Sequence, residues 1–195
     1  MRTLRLCERS IACLDVPMSK TPTSTFSIRF HRPDRATHLL AASQVLDLPR
    51  EQVFLFFEDP RNLFDITPDW LNFVMKDRDQ MTAVFEGAEF DYTIRWSGIP
   101  LPWKSRITGY QPPEQFTDIQ ITGPYRSWSH LHTFDEISEG TLMSDTVTYQ
   151  LPLGPLGNAV HAFTVRRQLE DIFRFRAMRI DEWARGAMRR KRLEI

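Results

Sequence analysis

The chain has 195 residues, enough for one domain around a single core, and 42% of them are hydrophobic, a normal globular share. Its 25 lysines and arginines balance 25 aspartates and glutamates, so nothing in the charge points to nucleic acid. No apolar run approaches the roughly 20 residues needed to span a bilayer. The two cysteines, Cys7 and Cys13, match no metal or disulfide spacing, so a soluble protein of the reduced cytoplasm is expected.

In chain order, Arg2 and Arg5 imitate the start of a signal peptide, but Glu8 and Arg9 interrupt the apolar stretch it would need. Met18 precedes the polar run S-K-T-P-T-S-T, which fits either a start at Met18 or a natural extension. Residues 1–25 are therefore expected to lie outside the fold as a disordered or wrongly assigned extension. A strand of mixed burial is expected over Thr37 to Leu48. Pro49 signals a helix start, Val53, Phe54 and Phe57 recur at helical spacing, and Asp59-Pro60 stops the helix. A second short helical turn through Asn62 to Phe64 precedes Pro68.

After Trp70 the pattern changes to strands. Ala88, Phe90, Tyr92, Ile94 and Trp96 alternate cleanly with polar residues. Gly98-Ile99-Pro100 turns the chain into a strand carrying Trp103 and Ile107, Pro112-Pro113 breaks it, and Phe116 to Thr122 forms the next. Gly123-Pro124 turns into W-S-H-L-H-T-F, residues 128–134, and Glu139-Gly140 turns again into Met143, Asp145, Val147 and Tyr149 on one face. From Asn158 to about Trp183 the apolar residues fall three or four apart, among them Ala162, Val165, Leu169, Ile172, Phe173 and Ile180. The expectation is an α+β fold: a curved antiparallel sheet of about seven strands, two short helices after the first strand, and a long C-terminal helix against the concave face.

The segments F-F-E-D-P-R-N-L at 56–63, I-T-P-D-W-L at 66–71, G-I-P-L-P-W at 98–103, G-P-Y-R-S-W-S-H-L-H-T-F at 123–134 and I-F-R-F-R at 172–176 resemble an uncharacterised bacterial ligand-binding branch of the SRPBCC superfamily. That superfamily shares the helix-grip fold of START domains, the birch-pollen allergen, polyketide cyclases and coenzyme Q-binding proteins. The likeness covers residues 37–183 and implies one domain over 26–185, with a basic tail at 186–195. It also implies a deep cavity between sheet and long helix for an apolar or amphipathic small molecule. Fold alone does not choose among carrier, sensor and enzyme.

The His-x-His strand holds the candidate chemistry. Trp128, His130, His132 and Phe134 share one face, and their aromatic company points them inward. If Glu136 pairs with Thr141, His132 faces Asp145, His130 faces Val147 and Trp128 faces Tyr149, close enough for a histidine–carboxylate hydrogen bond. The Gly123-Pro124 turn would bring Asp118 towards His132 and Gln120 towards His130, although Ile119 and Ile121 compete to be the inward face. Arg176 lies on the apolar stripe of the long helix and is expected to reach Asp145, or less readily Asp118. These groups suit a structural network, the polar end of a ligand pocket also lined by Tyr92, or a cyclase/dehydratase in which His132 and Asp145 serve as acid and base.

Asp118 and Asp145 would be the further ligands of a metal on the two histidines, but the aromatic surroundings favour an organic molecule, so no metal and no cofactor are expected. The basic run at 185–192 reads as a solvated helix end, with weak contact to anionic lipid as the alternative. The expected partner is thus a small apolar or amphipathic molecule, not nucleic acid; a lipid or quinone carrier that docks on membranes is a further reading.

Overall fold

The computed structural model describes residues 25–76, 83–96, 98–152, 154 and 164–193. Its strands are β1 (Phe26–His31), β2 (Thr37–Leu46), β3 (Val74–Met75), β4 (Glu89–Trp96), β5 (Ile99–Gln111), β6 (Gln115–Thr122), β7 (Ser127–Ile137) and β8 (Gly140–Gln150). Helix α1 (Arg50–Glu58) and two short 3-10 turns, Pro60–Leu63 and Asp69–Leu71, join β2 to β3, and helix α2 spans Arg166–Leu193. The strands form one eight-stranded sheet in the order β1-β2-β8-β7-β6-β5-β4-β3, antiparallel at every junction. This is the helix-grip arrangement. Against the expected total of about seven, the sheet has eight strands; the two with no counterpart in the sequence pattern are β1 and the two-residue β3.

The inward faces follow period-two alternation. On β2 they are His38, Leu40, Ala42, Gln44 and Leu46, and on β8 Thr141, Met143, Asp145, Val147 and Tyr149. Val165 just before helix α2, and Leu169, Phe173, Ala177, Ile180, Ala184 and Ala187 within it, answer with a buried row at spacings of three and four. The helix packing continues past Trp183, the last residue of the expected apolar stripe; the expected start at Asn158 and the stripe residue Ala162 lie outside the described residues. The expectation for residues 1–25 also lies outside them, apart from Thr25. Inside the fold, the Gln44 amide donates to the Ala177 carbonyl at 2.9 Å, pinning α2 to β2. Among the described residues, no helix is long and apolar enough to cross a membrane.

The turn into β8 packs closely against the end of β2. Gly140 has φ +124°, and a Cβ there would meet the Leu46 carbonyl oxygen at 2.2 Å. Both the positive φ and the backbone contact exclude a side chain. Gly140→Ala should therefore cost about 2 kcal/mol and lower Tm by about 5 °C, readable by circular dichroism. A change within about 1 °C would show that the turn relaxes freely.

Candidate functional site

The hairpin of β7 and β8 has the register that its turn and alternation imply: His132 opposite Asp145, His130 opposite Val147 and Trp128 opposite Tyr149. His130, His132 and Asp145 are all buried. The hydrogen bond, however, belongs to the diagonal neighbour. His130 Nε2 lies 2.8 Å from Asp145 Oδ1 and donates to it, since an ionised carboxylate only accepts. His132 Nδ1 is 2.9 Å from the same oxygen but outside hydrogen-bonding direction, so it has no hydrogen-bond partner. The expected His132–Asp145 hydrogen bond is thus corrected to His130–Asp145, because the two rings lean together, 3.9 Å between centroids and 34° between planes. Phe116, stacked 4.5 Å from the His132 ring, holds that ring in place.

Electrostatics separates the groups. Burial works to raise Asp145, but the two imidazoles outweigh it and hold the carboxyl well below its ordinary range. Burial and the neighbouring His132 push His130 down to about 3 against the pull of Asp145, so it is neutral at pH 7. Asp118, directly across from His130 on β6, is pushed up to about 6 by burial, opposed by His132, Ser105 and Arg176. Tyr92 is raised by burial and by the Asp118 charge. His130, His132 and Asp145 also present three donor atoms within 4.8 Å of one another. Imidazoles on one ion fan out from it, whereas these two rings lie side by side around a shared carboxylate oxygen.

Among the described residues, two chambers adjoin the histidines between sheet and helices. One, about 90 Å³, is walled by Phe57, Ile66, Phe90, Ile107 and Phe116. The other, about 120 Å³, is walled by Phe73, Trp96, Trp103, Trp128 and Ile172. They share Leu63, Tyr92, Asp118, His130 and Arg176. The two apolar lobes thus meet at a shared polar wall, the neck.

Residues 46–174 match the family described as polyketide cyclase / dehydrase and lipid transport, well over half of the chain. The chain belongs to that family. No curated protein matches the sequence. Among solved structures, the fold recurs in Ms6760 from Mycobacterium smegmatis, at TM-score 0.57 and 16% identity over 85% of this chain and 99% of that one. It recurs in TTHA0849 from Thermus thermophilus, at 0.60 and 16% over 76% and 98%. A third is the di-domain ARO/CYC StfQ from the steffimycin biosynthetic pathway, at 0.61 and 14% over 79% and 52%. At such identities the likeness is one of fold.

Within this member of the cyclase/dehydrase family, Tyr92, Asp118, His130 and Arg176 meet at the neck, Trp128 lines one chamber and His132 the other. The remaining expected ligand contacts stand elsewhere. Asp118 faces His130 rather than His132, a two-residue slip that moves Gln120 away from the histidines. Gln120 instead caps its own turn, its amide donating to the Tyr125 carbonyl at 2.8 Å. Phe134 and Tyr149 are fully buried packing and line neither chamber, and Asp145 sits behind the histidines. The expected Arg176–Asp145 pair is not formed: the two histidines occupy Asp145, and among the described residues no carboxylate lies within 4 Å of the Arg176 guanidinium. Sequence reasoning missed Leu63 and Ser105. Ser105 is only 1% exposed beneath Asp118 and could have been found from the alternation Trp103, Ser105, Ile107.

Proposed function

We propose that the protein binds one small apolar or amphipathic molecule in the two-lobed cavity, with rings in the chambers and polar atoms at the neck. The observation that carries this reading is the convergence of Tyr92, Asp118, His130 and Arg176 on the one wall that both apolar chambers share. A cavity of about 150 Å³ is known to take benzene, so chambers of about 90 and 120 Å³ hold at most about one ring each without widening. The family description, cyclase/dehydrase and lipid transport, supports ligands of this kind.

N-phenyl-1-naphthylamine, fluorescent only in apolar surroundings, should bind saturably at about one per chain. Leu63→Trp, which adds an indole at the shared wall, should weaken that binding at least about tenfold in a protein that still melts cooperatively. Absence of a saturable site in folded protein would count against the reading. Native mass spectrometry with organic extraction of freshly purified protein would identify the ligand.

One observation favours an enzymatic variant of this reading. A general acid or base works best with a pKa near the working pH, and the group that fits is Asp118 at about 6, not the histidine–Asp145 pair. Turnover of a polyketide-like substrate, abolished in Asp118→Asn, would favour the enzyme; stoichiometric binding without turnover favours a carrier.

A further inference from the structure

The neck holds a cation that no carboxylate of the described residues touches. Arg176 sits between buried Phe173 and Ala177 on the face of α2 turned to the sheet. Its Nε is buried with no hydrogen-bond partner, and among the described residues no carboxylate lies within 4 Å. A snorkelling arginine keeps its polar atoms in water; here the residue is half-buried and its Nε is sealed from solvent. The Phe173 ring, 5.2 Å from the guanidinium carbon, covers part of the group. A guanidinium N–H withdrawn from water is costly unless an oxygen meets it. Its planar fork matches a carboxylate or another delocalised oxyanion better than a neutral carbonyl.

We infer that the neck selects a molecule carrying an anionic oxygen (carboxylate, enolate or phenolate) between two apolar groups, and that Arg176 meets that oxygen. This deepens the proposed function and rests on it. The two-lobed shape sets the position of the charge: each chamber takes an apolar group, and their shared wall carries Arg176. Asp118, the one acid among the described residues on that wall, bears on the same oxygen. Its Oδ1 is likewise buried and without a hydrogen-bond partner. The titratable and charged groups facing it are His130 and His132 from β7, Tyr92 from β4 and Arg176 from α2, with the Ser105 hydroxyl from β5. With its carboxyl pushed up to about 6, Asp118 is a second donor to the oxyanion below that pH and a repelling charge above it.

The test uses 2,2-diphenylacetate and its neutral isostere 2,2-diphenylacetamide, each with two rings on the carbon that bears the polar group, titrated by calorimetry at pH 5.5 and pH 8. Wild-type protein should prefer the acid at least about tenfold at the lower pH, the worth of one charge-assisted contact, and less at the higher. Arg176→Met should bring the ratio near one, and Arg176→Lys should keep part of it, with circular dichroism confirming both folds. Equal binding of acid and amide by wild type, or a preference that survives in Arg176→Met, overturns the inference. Failure of both probes while N-phenyl-1-naphthylamine still saturates also overturns it and leaves the cavity reading standing. Failure of all three removes the cavity reading itself.

Discussion

Asp145→Ala is expected to cost about 4 kcal/mol of stability at pH 7, because it strips the acceptor from buried His130 and the carboxylate lying 2.9 Å from His132. His130 Nε2–H would be left without a partner in a site closed to water, and a cavity would open between β8 and α2. Asp145→Asn keeps the shape and one acceptor oxygen, so about half of the loss should return. Urea denaturation of the three proteins at pH 7 measures this, and a loss below about 1 kcal/mol for alanine would show that the cluster contributes little. The pH dependence has a definite sign. Asp145 is depressed in the folded state, so its contribution is present above the unfolded carboxyl value and is lost as the pH falls towards its folded value. His130, lowered from 6.5 to about 3, acts in the same direction: the unfolded chain takes the proton first, and stability drains as pH falls between those values.

The register of this cluster could be read in advance because hairpins are local. Gly140 fixes the turn, Glu136 then pairs with Thr141, and alternation carries the rest of β7 and β8 with it. The β6–β7 junction gave way for two physical reasons. Its connection, residues 123–126, is longer and bent, so it does not impose a register. Its inward face, Phe116, Asp118 and Gln120, is more polar than the outward Ile119 and Ile121, because a strand that borders a cavity needs polar groups where one that borders a core does not. Ile121, the more apolar choice, is 42% exposed.

The helix posed a different limit. Periodicity places Arg176 on the inward face of α2, but not its height above each strand, and height decides which acid it can reach. That is why the Asp145 pairing failed although the face was right. Strand β1 was missed despite the alternation Phe26, Ile28, Phe30: it is a six-residue edge strand next to a polar stretch, and its outward residues include Arg29 and His31. Chamber walls such as Leu63 and Phe57 come from α1 and the turn after it, so only the packed fold brings them to the histidines.

Asp118→Asn should stabilise the protein at pH 7.5 by about 2 kcal/mol, a gain from removing a carboxylate at the centre of the site. Burial lifts this carboxyl from 3.8 to about 6, so at pH 7.5 the folded protein holds a charge that the cavity disfavours. A group raised in the folded state contributes most below its unfolded value, and that contribution is lost as pH rises through the folded one. The two-unit rise would convert to nearly 3 kcal/mol at full burial; the residue is half-buried, with Oδ1 sealed, so a smaller gain is expected. The advantage of asparagine should shrink through pH 6 and vanish near pH 4, where the wild-type carboxyl is neutral as well. Urea denaturation of both proteins at pH 7.5 and pH 4 tests this directly. A destabilised variant at pH 7.5, or a gain that persists at pH 4, would mean that Asp118 is satisfied where it stands. If the gain appears, retaining Asp118 costs stability that packing does not explain, as expected of a side chain kept for the molecule that enters the neck.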